Sequence, residues 1–257
     1  CIPLYFSTEK TMNLKSKLVL ALLATSSAAF AQTAPAAPAA PEVTYNVGVV
    51  SQYRYRGLAQ TKGDPALQGG VDYANANGFY AGVWGSTIKW IEKAAAGNQG
   101  GSEFDIYGGY KFEAAGVGFD FGALRYEYLN NNVVPNANTN EVYGAATYGV
   151  TTLKYSHSLS NLFGVANSKG STYVDLSATF DLGTGYTLVP HVGHQAVANN
   201  AASSYTDYAL TLNKDLGNGL SASVSAIKIS GIVNPAPSVT GYNLYKDAIV
   251  VGVKYSF

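Results

Sequence analysis

The chain has 257 residues, 16 Lys+Arg against 16 Asp+Glu, and a formal net charge of zero. There is no basic excess to hold nucleic acid. The single cysteine, Cys1, excludes a disulfide framework and a Cys-ligated metal.

From the start of the chain, Met12 opens "MNLKSKLVLALLATSSAAFA". Lys15 and Lys17 form a basic head, Leu18 to Leu23 an apolar run, and Ala29-Phe30-Ala31 an A-x-A site. That pattern predicts a secretory signal peptide over 12–31, and the apolar run falls short of the ~20 residues a spanning helix needs. Residues 1–11 read as an upstream artefact. Removing the leader through Ala31 takes Lys+Arg from 16 to 13 and Asp+Glu from 16 to 15, a net charge of −2. Pro35, Pro38 and Pro41 recur among alanines, so 32–43 is expected to be a stiff extended linker.

No amphipathic helix is evident from Thr44 onward. Period-two alternation predicts twelve strands, over 44–57, 65–75, 79–90, 102–114, 117–129, 141–148, 150–160, 171–182, 186–197, 205–216, 220–230 and 246–257. The pattern is clearest in "STYVDLSATFDL", where Thr172, Val174, Leu176, Ala178, Phe180 and Leu182 share one face. Tight joins such as "NANG", "GTG" and "GNG" alternate with long ones such as "NNNVVPNANTN". Five short turns and six long loops fit an all-β, antiparallel, up-and-down transmembrane barrel over 44–257, with both termini periplasmic.

A soluble β-sandwich alternates in the same way. Two features count against it. Tyr45, Phe79, Phe112, Tyr148, Tyr186 and Phe257 lie toward strand ends, as aromatic girdles at both bilayer interfaces would. Neither the first nor the last strand is short or blocked by proline, and pairing them would remove both edges. Twelve strands about 4.8 Å apart, tilted about 40°, give a barrel roughly 24 Å across, narrowed by side chains to roughly 10 Å.

Parity sorts the side chains. On the first strand Tyr45, Val47, Val49, Tyr53 and Tyr55 are expected outward, with Gln52, Arg54 and Arg56 inward. Gln68, Asp72, Glu103, Asp105, Lys111, Asp120, Lys154, Asp175, His191, Asp207 and Lys254 are expected to line the lumen on later strands. Both signs are inside, so no single-sign filter is evident. The Arg54/Arg56 pair could guide anions or neutralise nearby acids, and the neutralising role is preferred. "FGALRYEY" breaks the rule, since Phe119 and Phe121 share parity with Arg125 and Glu127. A β-bulge near Gly122 is expected to flip the register.

Catalytic signals are weak. "YSHSLSN" lacks the H-x-S spacing that places His157 and a serine on one face, and His191 and His194 have opposite parity, unlike a metal pair. "GVGFDFG" lacks the helix a phosphate loop opens. No enzyme activity, cofactor or metal is expected.

The closing "VGVKYSF" places Tyr255 and Phe257 on the apolar face. It resembles the signal that the barrel-assembly machinery reads on outer-membrane proteins. The core Ser51, Tyr53, Arg56, Gly57, then Gln60-Thr61, "PALQGGVDY" (65–73) and "GFYAGVWGS" (78–86), resembles the TorF-like porins, proteobacterial outer-membrane proteins. "LAQ" at Leu58 stands where that family is expected to place a serine before the glutamine. The resemblance implies a Gram-negative outer-membrane barrel with a channel, and no catalytic residues. The expected function is passive diffusion of small solutes, with membrane lipid and the assembly machinery as partners. The alternatives are a closed-lumen structural barrel and a lipid-acting enzyme.

Overall fold

A computed structural model describes residues 41–91, 101–232 and 243–257. The expected leader and almost all of the linker lie outside these residues, as do residues 92–100 and 233–242. The elements are β1 (Glu42–Val50), β2 (Arg54–Tyr55), β3 (Leu58–Ala59), β4 (Ala66–Ala74), β5 (Phe79–Thr87), β6 (Ser102–Ala114), β7 (Val117–Tyr128) and β8 (Thr139–Tyr148). They continue as β9 (Thr151–Ser158), β10 (Thr172–Ala178), β11 (Phe180–Gly183), β12 (Tyr186–Ala196), a 3-10 turn (Ala201–Ser203), β13 (Tyr205–Gly217), β14 (Leu220–Ser230) and β15 (Ala248–Ser256).

All strands except β2 and β3 belong to one antiparallel sheet. β10 and β11 form a single wall strand interrupted at Thr179, whose N–H donates to the Val150 carbonyl at 2.8 Å. Twelve wall strands result, each bonded to its chain neighbour, and β1 pairs with β15 to close the ring. The seam extends past β15: Tyr45 N–H donates to Phe257 O at 2.8 Å and Phe257 N–H to Tyr45 O at 3.0 Å. Closure leaves no unpaired edge, the condition for a sheet surrounded by hydrocarbon.

Alternation decides which face each side chain takes. Outward residues are apolar and uncovered: Leu67 is 58% exposed, Val49 52% and Ile249 61%. A soluble monomer rarely exposes apolar surface so continuously. Inward residues are buried and mostly polar, among them Glu103, Asp105, Ser156, Asp207 and Thr211. The five short turns share one rim and the long connections the other.

Three expectations are corrected. First, β1 ends at Val50, and the chain then leaves the wall, so Tyr53 and Tyr55 are buried inside the barrel instead of facing outward. Second, no bulge occurs near Gly122. Pairing with β6 runs without interruption from Val117 to Tyr128. Arg125 and Glu127 do face outward. They lie at the long-loop end of β7, where they bind each other at 2.5 Å and Arg125 also reaches Asn140 at 3.1 Å. Charge at a rim is tolerated far better than charge at mid-height. Third, the six strand-end aromatics do not divide between two girdles. All lie on the short-turn side, where Phe79, Tyr110, Phe112, Phe119 and Phe121 form a chain of ring contacts and Tyr45, Tyr255 and Phe257 form another.

The seam can be tested directly. Asn46 and Ser256 are register partners, and the flanking Tyr45–Phe257 pair exchanges both backbone bonds, so 46/256 is the close, non-hydrogen-bonded kind. Asn46→Cys/Ser256→Cys, with Cys1→Ser, is expected to form an intramolecular disulfide on mild oxidation, read as a mobility shift reversed by reductant. A control pairing Asn46→Cys with Ser177→Cys should form none.

Candidate functional site: the barrel interior and its inserted hairpin

The interior is organised by the segment that departs from the wall after β1. Arg56 and Gly57 both have positive φ, 44° and 77°, the signature of a tight two-residue hairpin turn. They join β2 to β3, and Gln60 N–H closes the ladder on Tyr53 O at 2.8 Å. The base is pinned by Thr61, whose hydroxyl accepts from Tyr53 N–H at 3.0 Å and donates to Asp64 O at 2.6 Å. An arginine in the left-handed region is disfavoured, so its contacts must compensate.

Those contacts cross the lumen. Arg56 makes a two-pronged ion pair with Glu141 of β8, at 3.0 and 2.7 Å, and donates to Gln195 Oε1 of β12 at 2.8 Å. Its guanidinium lies 4.3 Å from the Tyr173 ring centroid and 4.9 Å from that of Tyr55. Gly57 touches the opposite wall, where an added Cβ would come within 2.8 Å of Asp207 and Ile229. Tyr53 donates to Glu103 at 3.2 Å, Tyr55 bonds the Tyr126 hydroxyl, and Tyr126 donates to Glu141 at 3.2 Å. Trp84, Ile88, Ile91, Tyr128 and Phe163 pack around this hairpin and complete an aromatic core at the long-loop mouth.

Arg54 has a different role from Arg56. It donates to the carbonyls of Gly57 at 3.1 Å and Lys246 at 2.7 Å, and to Gln52 Oε1 at 2.6 and 2.9 Å. It therefore ties the hairpin to the segment entering β15. Gln52 also donates to Ile249 O at 3.4 Å.

Below the hairpin, toward the short-turn rim, the wall carries a polar lattice. Tyr80 donates to Asp120 at 2.6 Å and bonds Tyr143. Tyr107 donates to Asp72, and Tyr173 to Asp207 at 2.9 Å. His191 lies between Asp175 at 2.6 Å and Asp207 at 3.6 Å. Lys111 lies 3.9 Å from Asp120 and over the Tyr80 ring, and Lys154 lies 4.0 Å from the centre of the Tyr143 ring. Tyr80, Tyr107, Tyr143 and Tyr173 each lie across an inward glycine of an adjacent strand, Gly109, Gly82, Gly122 and Gly193. A Cβ at any of these glycines would collide with the ring, so glycine lets the tyrosine lie against the wall.

Each wall residue expected inside is on the inward face. Gln68 is bonded to Ser86 at 3.4 Å, and Asp105 lies one register step from Glu103. Lys254 stands opposite Gly48 and Ser221. The structure brings Asp175, His191 and Asp207 together, and Lys111 with Asp120, while Gln52, Arg54 and Arg56 belong to the hairpin. Sequence reasoning missed Glu141 and the inward tyrosines. Their signal was present: in "TNEVYGAATY" Glu141 and Tyr143 share parity with Thr139. Tyr255 and Phe257 stack on each other at 5.3 Å at the seam. Among the described residues, His157 bonds Tyr155, His191 bonds Tyr173 and Asp175, and His194 bonds Thr206. None bonds a serine hydroxyl.

Residues 33–257 match the family described as "Bacterial protein of unknown function (Gcw_chp)". The chain belongs to this family. No curated protein matches it. Among solved structures, it resembles the KdgM porin with a TM-score of 0.54 at 11% identity, over 84% of this chain and 98% of that one. A structure titled KdgM porin in complex with disordered oligogalacturonate gives 0.55 at 11% identity over the same shares. The NanC porin gives 0.52 at 12% identity, over 83% of this chain and 99% of that one. The likeness is one of fold.

The Arg56–Glu141 pair is buried on both sides, with side-chain exposures of 6% and 3%. Removing one partner of such a pair strands a charge and costs about 3–5 kcal/mol. Arg56→Ala and Glu141→Ala are each expected to lower the urea unfolding midpoint in detergent micelles, and the double variant to cost less than the sum of the two.

Proposed function

We propose that this member of the Gcw_chp family is an outer-membrane porin that lets small hydrophilic solutes diffuse through its interior. The observation that carries the reading is the inverted distribution of the wall, with exposed aliphatic and aromatic side chains outside and hydrogen-bonded, charged side chains within. Hydrocarbon suits the first face and water the second. The porin folds of KdgM and NanC support it, as does the resemblance of 51–86 to the TorF-like porins. KdgM is described in complex with disordered oligogalacturonate, a polar solute held by a barrel of the same fold.

In this reading a signal peptide over 12–31 directs export, and the linker and short-turn rim lie on the periplasmic side. The Tyr45–Tyr255–Phe257 stack belongs to the membrane interface there, with lipid around the wall, and the terminal aromatic serves the assembly machinery. Gln68, Asp72, Lys111, Asp120, Lys154 and Lys254 line the passage, and the hairpin narrows it at the other end. No chemical step is required. Position and electrostatics do the work.

A second reading has its own observation. Tyr53, Arg54, Ala59 and Thr61 are almost wholly buried, so the hairpin could seal a purely structural barrel. Planar-bilayer recording separates the two. The porin reading expects unitary current steps from the full chain, and larger steps when residues 53–60 are replaced by a short Gly-Ser link. Silence from correctly inserted protein, with steps only from the replaced variant, would establish the sealed barrel.

A further inference from the structure

The chain's zero net charge conceals a radial separation. Residues directly paired across the sheet share a face, so the register assigns every wall charge to one side. Among the described residues, the outer faces of the strands carry Arg125, Lys214 and Lys228 with one acid, Glu127. On the inner faces, with the hairpin included, stand eleven carboxylates and five lysine or arginine side chains among the described residues. We propose that the passage is selective for cations, so that its solutes are small cations or cationic organic molecules. The inference rests on the porin reading and names the charge of what that porin passes.

The excess is not spread evenly. In mid-lumen Lys154 and Lys254 stand with Asp72, Asp120 and Asp175, and the level is close to neutral. At the short-turn rim acids outnumber bases among the described residues: Glu42 opposite Ala74, Glu113 opposite Gly118, Asp181 opposite Thr187 and Asp215 opposite Ser221, against Lys111, whose N–H donates to Gly78 O of the β4–β5 turn. The acids come from four separate strands, so they encircle the opening, and all four are exposed. Asp181 and Asp215 also each accept a turn N–H at 2.8 Å, from Gly183 and Gly217. That role needs an oxygen and no charge.

A second observation lies deeper. Asp72 Oδ2, Glu103 Oε2 and Asp105 Oδ1 are buried carboxylate oxygens without a hydrogen-bond donor, and their residues are at most 3% exposed. Glu103 and Asp105 are neighbours on one face of β6, and the hairpin brings Glu103 a tyrosine hydroxyl. Carboxylate oxygens left in this state are costly unless a proton, a cation or water supplies what the protein does not. Arg56 does not meet that need, because Glu141 already holds it.

The physics favours a measurable effect. A tube with low-dielectric walls focuses the field of its lining charges. The Debye length of about 10 Å at 0.1 M salt is comparable to the width of such a passage. Rings of Asp and Glu at a mouth are the usual device for selecting cations.

The test is the reversal potential of the full chain in a planar bilayer across a tenfold KCl gradient around 0.1 M. The expected result is a potassium-to-chloride permeability ratio of about 3 or more, falling toward unity near 1 M salt, where the Debye length shrinks to about 3 Å. The variant Glu42→Gln/Glu113→Gln/Asp181→Asn/Asp215→Asn keeps the turn-capping oxygens and should bring the ratio in dilute salt at least halfway to unity. Open channels with a ratio at or below one would overturn cation selectivity and leave the porin standing. No current at all would remove the porin and this inference together. If the quadruple variant fails to insert, the salt dependence of the unmodified chain decides alone, and a ratio unchanged between 0.1 and 1 M overturns the proposal.

Discussion

Closure of the sheet is the constraint on which everything else depends. Every backbone N–H and C=O of the wall must find a partner within the sheet, because the outer face offers hydrocarbon and no donors. Pairing β1 with β15 meets that demand and fixes the strand count, the alternation and the two rims together. Once the ring is closed, parity is no longer a local preference. A one-residue slip in any strand would drive Asp or Lys outward and Val or Leu inward.

Closure also creates an interior that must be filled or hydrated, and the chain does both. Toward the long loops, the β2–β3 hairpin fills the lumen with Tyr53, Tyr55 and Arg56, and each polar tip meets a partner on the far wall. Along the wall, four tyrosines lie against glycines of adjacent strands. The same residue type closes one end and lines the wall. The difference is whether a neighbouring strand supplies a glycine for the ring to lie on.

The wall was legible in the sequence because period two is a local signal that persists for eight to thirteen residues in most strands. The placement of Lys111, Lys154, Asp175 and His191 on one face follows from counting alone. The hairpin was not legible. "SQYRYRG" continues the alternation of β1 without a break, so Tyr53 and Tyr55 read as more of the same strand. Only the positive φ of Arg56 and Gly57, and partners more than eighty residues away, send the segment inside. The missing bulge has a related cause. Parity records which face Arg125 and Glu127 occupy but not their height, and at the rim an outward ion pair is permissible. Parity in β8 places Glu141 inward, but its partner Arg56 is a turn residue that no periodicity could bring to it.

The β1–β15 seam carries a consequence for how the molecule forms. Val47 and Tyr255 are bonded neighbours separated by nearly the whole chain, so this is the contact with the greatest loop-closure entropy. The hairpins from β4 to β14 join elements adjacent in the chain and can zip early, whereas the seam waits for both ends of the ribbon to meet. Until then two long, aliphatic edges are open at once, each able to recruit a stray strand. A curved, unfinished ribbon of this kind must be escorted, or already lodged in a bilayer, through its slowest step.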